Sequence, residues 1–347
     1  MDRKKIVWAV ISLILAGLTV YAITSQSKEF SMEMLRQFLH RANPGWLLMA
    51  FASMFGFIFF EGMALIRITK RLGYKRKVMQ GITYGGADVY FSAVTPSASG
   101  GQPASAYFML KDGIPASAVT ASLLINLVMY TAALLVLSGL AVVFGFGYFR
   151  EFSIVARLLI AAGGLVLIGL GIFFYMLLKK ASLLHGICEW FLHILEKLHM
   201  VKRAEKRRKR LERLIQEYGE CAETIFGHGH LLLEIFFWNL LQRISQIAVS
   251  FFVFMSMGYG LGKAWHVSVI QCFVALGSNC VPIPGGMGIA DYLMLDGLQQ
   301  VLSKSEVVTM ELLCRGITFY GSVTVGLSVV IVGYIHRKLG EKHAGIL

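Results

Sequence analysis

The sequence predicts an all-α, polytopic membrane protein with about six transmembrane helices plus two re-entrant or broken-helix hairpins in an inverted repeat. Three observations carry this expectation. Of 347 residues, 56% are hydrophobic and only 15% charged, with a mean hydropathy of +0.65, whereas soluble domains carry roughly 25% charged residues. Lys and Arg gather in alternate connecting segments. Two runs of small and helix-breaking residues interrupt otherwise apolar sequence: Thr95-Pro96-Ser97-Ala98-Ser99-Gly100-Gly101-Gln102-Pro103 and Pro282-Ile283-Pro284-Gly285-Gly286-Met287-Gly288.

Taken in order, Asp2-Arg3-Lys4-Lys5 precedes an apolar run over 6–24. It is long enough to span, which needs about 20 residues, and no small-x-small cleavage site follows it, so it reads as a retained first helix. The polar stretch 25–44 spaces Met34, Leu35, Phe38 and Leu39 as a short interfacial helix. A second span covers 46–68 and ends among Arg67, Lys70, Arg71, Lys75, Arg76 and Lys77, which marks that end as cytoplasmic.

The first break lies inside 79–111, with arms over 79–94 and 103–111. The second arm is too short to cross, so a re-entrant hairpin is expected. Spans follow over 115–146 and 154–178, then the most basic stretch, 179–213, containing Lys206-Arg207-Arg208-Lys209-Arg210. A span over 230–257, a second broken hairpin over 265–303 and a span over 306–335 complete the chain. The expected organisation is a first membrane half over 1–178, whose last span begins the second repeat, a basic cytoplasmic connector over 179–229, and a second half over 230–347.

Charge tests this topology. Of 33 Lys and Arg residues, 24 fall on the side assigned to the cytoplasm and 7 outside, with Arg243 and Arg315 inside spans. That asymmetry obeys the positive-inside rule and puts both termini in the cytoplasm. It also accounts for the net charge of +13 without nucleic acid; no folded RNA-binding module is visible, and no nucleic-acid partner is expected.

Each half then reads span, span, broken hairpin, span, with the hairpins entering from opposite sides. Helix breaks at membrane depth are tolerated only where protein or a water-filled cavity satisfies the backbone. Paired breaks in two halves point to a transport site between the repeats. Pro103 suits a first helical position, and a half-helix N-terminus favours an anionic headgroup or phosphate. Ser97, Ser99, Gly100, Gly101 and Gln102 from the first break, and Pro284, Gly285, Gly286 and Gly288 from the second, are therefore candidate substrate-binding residues. The competing reading is that the small residues merely allow close helix packing.

Ionisable residues inside a membrane are costly and mark function by default. Arg243, beside Gln242, and Arg315 are candidate phosphate ligands, because guanidinium binds phosphate in a fork. The alternative is an internal salt bridge with Glu234, Glu61, Glu311 or Asp291. Glu61, Glu234 and Asp291 are candidates for proton coupling or ion pairing. Asp88 and Asp296 lie on hairpin arms like Asp291; either could also be a proton-coupling carboxylate, but at interfacial depth solvation suffices, the reading taken for Asp296. Cys188, Cys221, Cys272, Cys280 and Cys314 lack ligand spacing, so neither disulfide nor metal is expected. Gly286-Met287-Gly288-Ile289-Ala290 has no strand around it and is rejected as a dinucleotide loop. His228-Gly229-His230 is rejected as a metal site. No cofactor and no catalytic residue is assigned.

At Pro284-Gly285-Gly286-Met287-Gly288-Ile289, together with the break from Pro96 to Gln102, the chain resembles the lysylphosphatidylglycerol synthase transmembrane-region family, the flippase half of the bacterial multiple peptide resistance factor. Asp291 stands where the family's glycine motif is often followed by an acidic residue, Glu being the expected one. The resemblance implies a multi-pass protein of the bacterial plasma membrane that moves a phospholipid, such as an aminoacylated phosphatidylglycerol, between leaflets. Full-length resistance factors resemble this membrane region followed by a soluble aminoacyl-transferase domain. Over the 347 residues that domain is not expected, and no compact catalytic constellation is visible. A phosphatidylglycerol lysyltransferase-type membrane enzyme, or its lipid-presenting partner subunit, is the rival reading. The expected partners are membrane phospholipid, a second copy in a homodimer, and a separate lipid-modifying synthase.

Overall fold

A computed structural model describes residues 40, 42–95, 99–197, 204–278 and 288–344. The predicted helix over 6–24, nearly all of the interfacial stretch, Ser97, and Pro284 to Gly286 lie outside these residues. The described chain is helical: α1 (Pro44–Arg71), α2 (Val78–Val94), α3 (Gly101–Lys111), α4 (Ala116–Glu151), α5 (Ile154–Lys179), α6 (Ala181–Lys197), α7 (Ala204–Phe226), α8 (Gly229–Ser256), α9 (Leu261–Gly277), α10 (Ile289–Leu298), α11 (Lys304–Arg315), a π-helical segment (Gly316–Gly321) and α12 (Ser322–Ala344). Among them α1, α4, α5 and the continuous run Lys304–Lys338 are long and apolar enough to cross a membrane. Large side chains such as Val143, Phe144 and Leu165 stand exposed on α4 and α5, as lipid-facing positions require.

Local sequence sets the element ends. Asn43 caps α1 by accepting from the Gly45 N–H at 2.9 Å, with Pro44 at the first position. Ser153 caps α5 at the Ala156 N–H, and the Asp296 carboxylate accepts from the Ser153 N–H at 2.9 Å, fastening that helix start to α10. α4 runs for 36 residues but bends at Gly145, where Val269 of α9 occupies the space a Cβ would need.

The helices on either side of the two breaks match in length. α2 and α9 each have 17 residues, while α3 has 11 and α10 has 10. At about 1.5 Å per residue the short arms reach only ~15 to 17 Å, roughly half a bilayer core. α1 and α8 form the most extensive helix pair, and each long arm packs on the helix just before its hairpin: α2 on α1, α9 on α8. Each long arm also packs against a helix distant in sequence, α2 against α12 and α9 against α4. α1 and α8 therefore form a central pair, with α2 packed on α1 and α9 on α8.

Close packing along α1 and α2 depends on glycine. A Cβ on Gly85 would sit 2.5 Å from the Ile58 carbonyl, and one on Gly62 would strike the Gly81 backbone. Small residues at such crossings let two backbones approach, the main source of helix association in lipid.

Candidate functional site

Where α1, α4 and α8 meet, the core becomes polar. On α8, Asn239, Gln242, Arg243 and Gln246 recur at i, i+3, i+4 and i+7, the spacing of one helix face. Gln242 Nε2 donates to Glu61 Oε2 at 2.6 Å, and Asn126 Nδ2 of α4 donates to Glu61 Oε1 at 2.7 Å. Asn239 Nδ2 donates to Asn126 Oδ1 at 2.9 Å. Glu61 is only 2% exposed and Arg243 3%, so this is a charged centre inside the protein.

Arg243 is held on one side only. Its Nη1 donates to Gln246 Oε1 at 2.5 Å, and its guanidinium lies 3.5 Å from the Tyr130 ring centre and 5.4 Å from that of Phe57. Its Nε and Nη2 are buried without a hydrogen-bond partner. Stripping a cation of water costs several kcal/mol unless its donors are met. The aromatic faces offset part of that through cation–π attraction, about 2 kcal/mol when desolvated, and Glu61 lies within electrostatic reach. Two donors of a phosphate-binding fork still remain open.

The first hairpin supplies the other wall. Asp88 of α2 lies in the field of Glu61 and Arg243, keeps partial exposure, and accepts from Gln102 Nε2 of α3 at 3.4 Å. A Cβ on Gly101 would meet the Asp88 carbonyl at 2.7 Å, so glycine lets α3 begin directly against this acid. Thr95 Oγ1 bridges the break, donating to the Phe91 carbonyl at 2.5 Å and accepting from the Gly100 N–H at 2.8 Å. Ser99 is exposed at the tip.

Arg315 belongs to a second centre. Its Nε and Nη2 engage Asp291 Oδ1, and Glu311 Oε1 lies 3.7 Å from Nε. Asp291 Oδ2 accepts from the Gly288 N–H at 2.8 Å, capping α10 at a glycine whose φ is +83°. The π-helical segment begins at the next residue, Gly316; such widened turns often occur at functional positions. The Cys314 thiol bonds Ser250 of α8, and Ser250 lies seven residues beyond Arg243. The two centres are therefore spaced by about 10 Å along α8.

Sequence reasoning placed Arg243, Gln242 and Glu61 as candidates, and the fold joins them in one group with Gln102, Gly101 and Asp88 beside it. Arg315 and Asp291 are joined in the other, in the internal ion pair set against the phosphate role. Glu234 stands in neither: it pairs with Arg67 at 3.0 Å, with both side chains about one-third exposed. Asn126, Asn239 and Tyr130 were not singled out. The signal for the two amides was a lone Asn within an apolar span, which in lipid needs a partner.

Against known proteins, the model of the family described as lysylphosphatidylglycerol synthase TM region matches residues 7–326. The chain is also similar to a UPF0104 membrane protein of the archaeon Archaeoglobus fulgidus, 22% identical over 340 residues, covering 94% of this chain and 99% of the relative.

Proposed function

This chain belongs to the lysylphosphatidylglycerol synthase transmembrane-region family, and we propose that it is a flippase-like transporter that moves a phospholipid, such as an aminoacylated phosphatidylglycerol, between leaflets. One observation carries the reading: the buried Arg243 guanidinium with Nε and Nη2 unpartnered. A lipid phosphate is an acceptor of matching geometry and opposite charge. On entering, it completes the bonds that the fold leaves open. The amides of Gln242 and Asn126 hold Glu61 as the fixed counter-charge, so the guanidinium does not collapse onto a mobile partner.

The packing of the hairpins supports the same reading. Each long arm packs both on the helix before it and on a helix distant in sequence, α2 on α12 and α9 on α4, so a shift of one hairpin alters the walls of the Arg243 site. Such rocking around a midplane site is how repeat-built transporters alternate access.

The test uses proteoliposomes containing headgroup-accessible fluorescent phosphatidylglycerol or its lysyl derivative, with outer-leaflet quenching. Quenching beyond half the signal, dependent on Arg243, is the expected result. Quenching that stops at half in vesicles of folded protein, under every imposed gradient, overturns translocation.

A further inference from the structure

The Arg243 centre contains two carboxylates and one guanidinium. Glu61 on α1 faces it with both oxygens occupied by amide donors at 2.6 and 2.7 Å. Amide N–H groups are donors only, so they hold Glu61 as the anion that balances Arg243. Asp88 is the surplus acid. Its described contact is a 3.4 Å donation from Gln102, and it keeps partial exposure where Glu61 is buried.

The surroundings of Asp88 have no second cation among the described residues. Glu61 faces it from α1, Tyr130 from α4, Arg243 from α8 and Gln102 from α3. Beside Asp88 the last span meets α2 through Phe319, Val323, Gly326 and Val329, which carry no charge. A turn away, near Tyr84, its Arg337 is paired with Asp112, and Tyr320 lies in the field of Arg315, Asp291 and Glu311. An unbalanced carboxylate in a low-dielectric interior takes up a proton instead of remaining charged.

We propose that Asp88 is a proton-exchanging carboxyl group that couples lipid movement to a pH gradient. The inference rests on the translocation reading for its coupling and on the Arg243 centre alone for its proton. With the site closed, the Asp88 carboxyl holds one proton. A phosphate on Arg243 cancels its positive charge, so Asp88 keeps its proton while the lipid is bound. When the phosphate leaves, the restored charge favours the carboxylate, and shift of the α2–α3 crossing opens Asp88 to water on that side, where the O–H bond breaks and the proton leaves. A proton from the opposite side re-forms that bond before the site closes.

Two measurements on the full chain in liposomes test it. Infrared difference spectroscopy at neutral pH should show a protonated carboxyl band that disappears in Asp88→Asn and persists in Glu61→Gln; a band unchanged in Asp88→Asn overturns the proposal whether or not lipid moves. With fluorescent phosphatidylglycerol and a lumenal pH dye, a pH jump should drive wild-type lipid past equal distribution with accompanying proton flux. Asp88→Asn should lose both responses, whatever its gradient-free exchange. Wild-type exchange indifferent to the jump overturns coupling while leaving translocation standing, and no exchange at all overturns translocation instead.

Discussion

Asp112 and Arg337 are 225 positions apart in sequence and meet as a two-point ion pair, Nε on Oδ1 and Nη2 on Oδ2, both at 2.7 Å. Asp112 follows α3 and Arg337 lies near the end of α12, so the pair ties the α2–α3 hairpin to the last helix. Tyr84 donates to Asp112 Oδ2 at 2.5 Å, Arg76 Nη2 donates to the Asp112 carbonyl at 2.6 Å, and Arg337 lies over the Phe108 ring.

Arg337→Gln should therefore lower stability by about 2 to 3 kcal/mol, the upper range for hydrogen bonds to charged groups. Thermal unfolding in detergent would measure it. A surface-like loss below ~0.5 kcal/mol would count against a tie between the hairpin and the last helix.

Acid should weaken the same tie. Burial acts against the Asp112 charge, but hydrogen bonds from Arg337 and Tyr84 outweigh it and hold the carboxyl below its ordinary range. A depressed folded value means the stabilisation is complete above the unfolded value, about 3.9, and is lost as pH falls through the folded one. The stability gap between wild type and Asp112→Asn should be constant above about pH 5 and narrow below about pH 4. A gap that widens in acid would contradict the assignment.

Arg243→Ala removes the only guanidinium facing Glu61 among the described residues and strands its charge, which costs about 3 to 5 kcal/mol when a buried pair is broken. Adding Glu61→Gln should restore most of that stability and none of the lipid exchange. Restored exchange in the double variant would show that Arg243 serves packing alone.

Gly85→Ala forces a Cβ to 2.5 Å from the Ile58 carbonyl. Overpacking of this kind costs about 1 to 3 kcal/mol, and moving α2 off α1 should also slow lipid exchange by displacing Asp88. Gly139→Ala, where a Cβ meets nothing within 4 Å, is the matched control and should be silent in both assays.

The sequence by itself determined the class of structure. Apolar runs of bilayer length must be helices, because lipid offers no partner for unpaired backbone groups. The breaks at Thr95 to Gln102 and before Ile289 were visible because glycine and proline cannot continue a helix unnoticed. Arg243 and Arg315 stood out equally, as charges inside apolar runs. What separated them was decided by tertiary structure. Asp291 and Glu311 close on Arg315, whereas Arg243 lies over Tyr130 of α4, in the field of Glu61 of α1, and keeps two donors open. Spacing along one helix cannot reveal that difference, because partners such as Glu61 and Gln242 are 181 residues apart and converge only through the packing of α1 against α8.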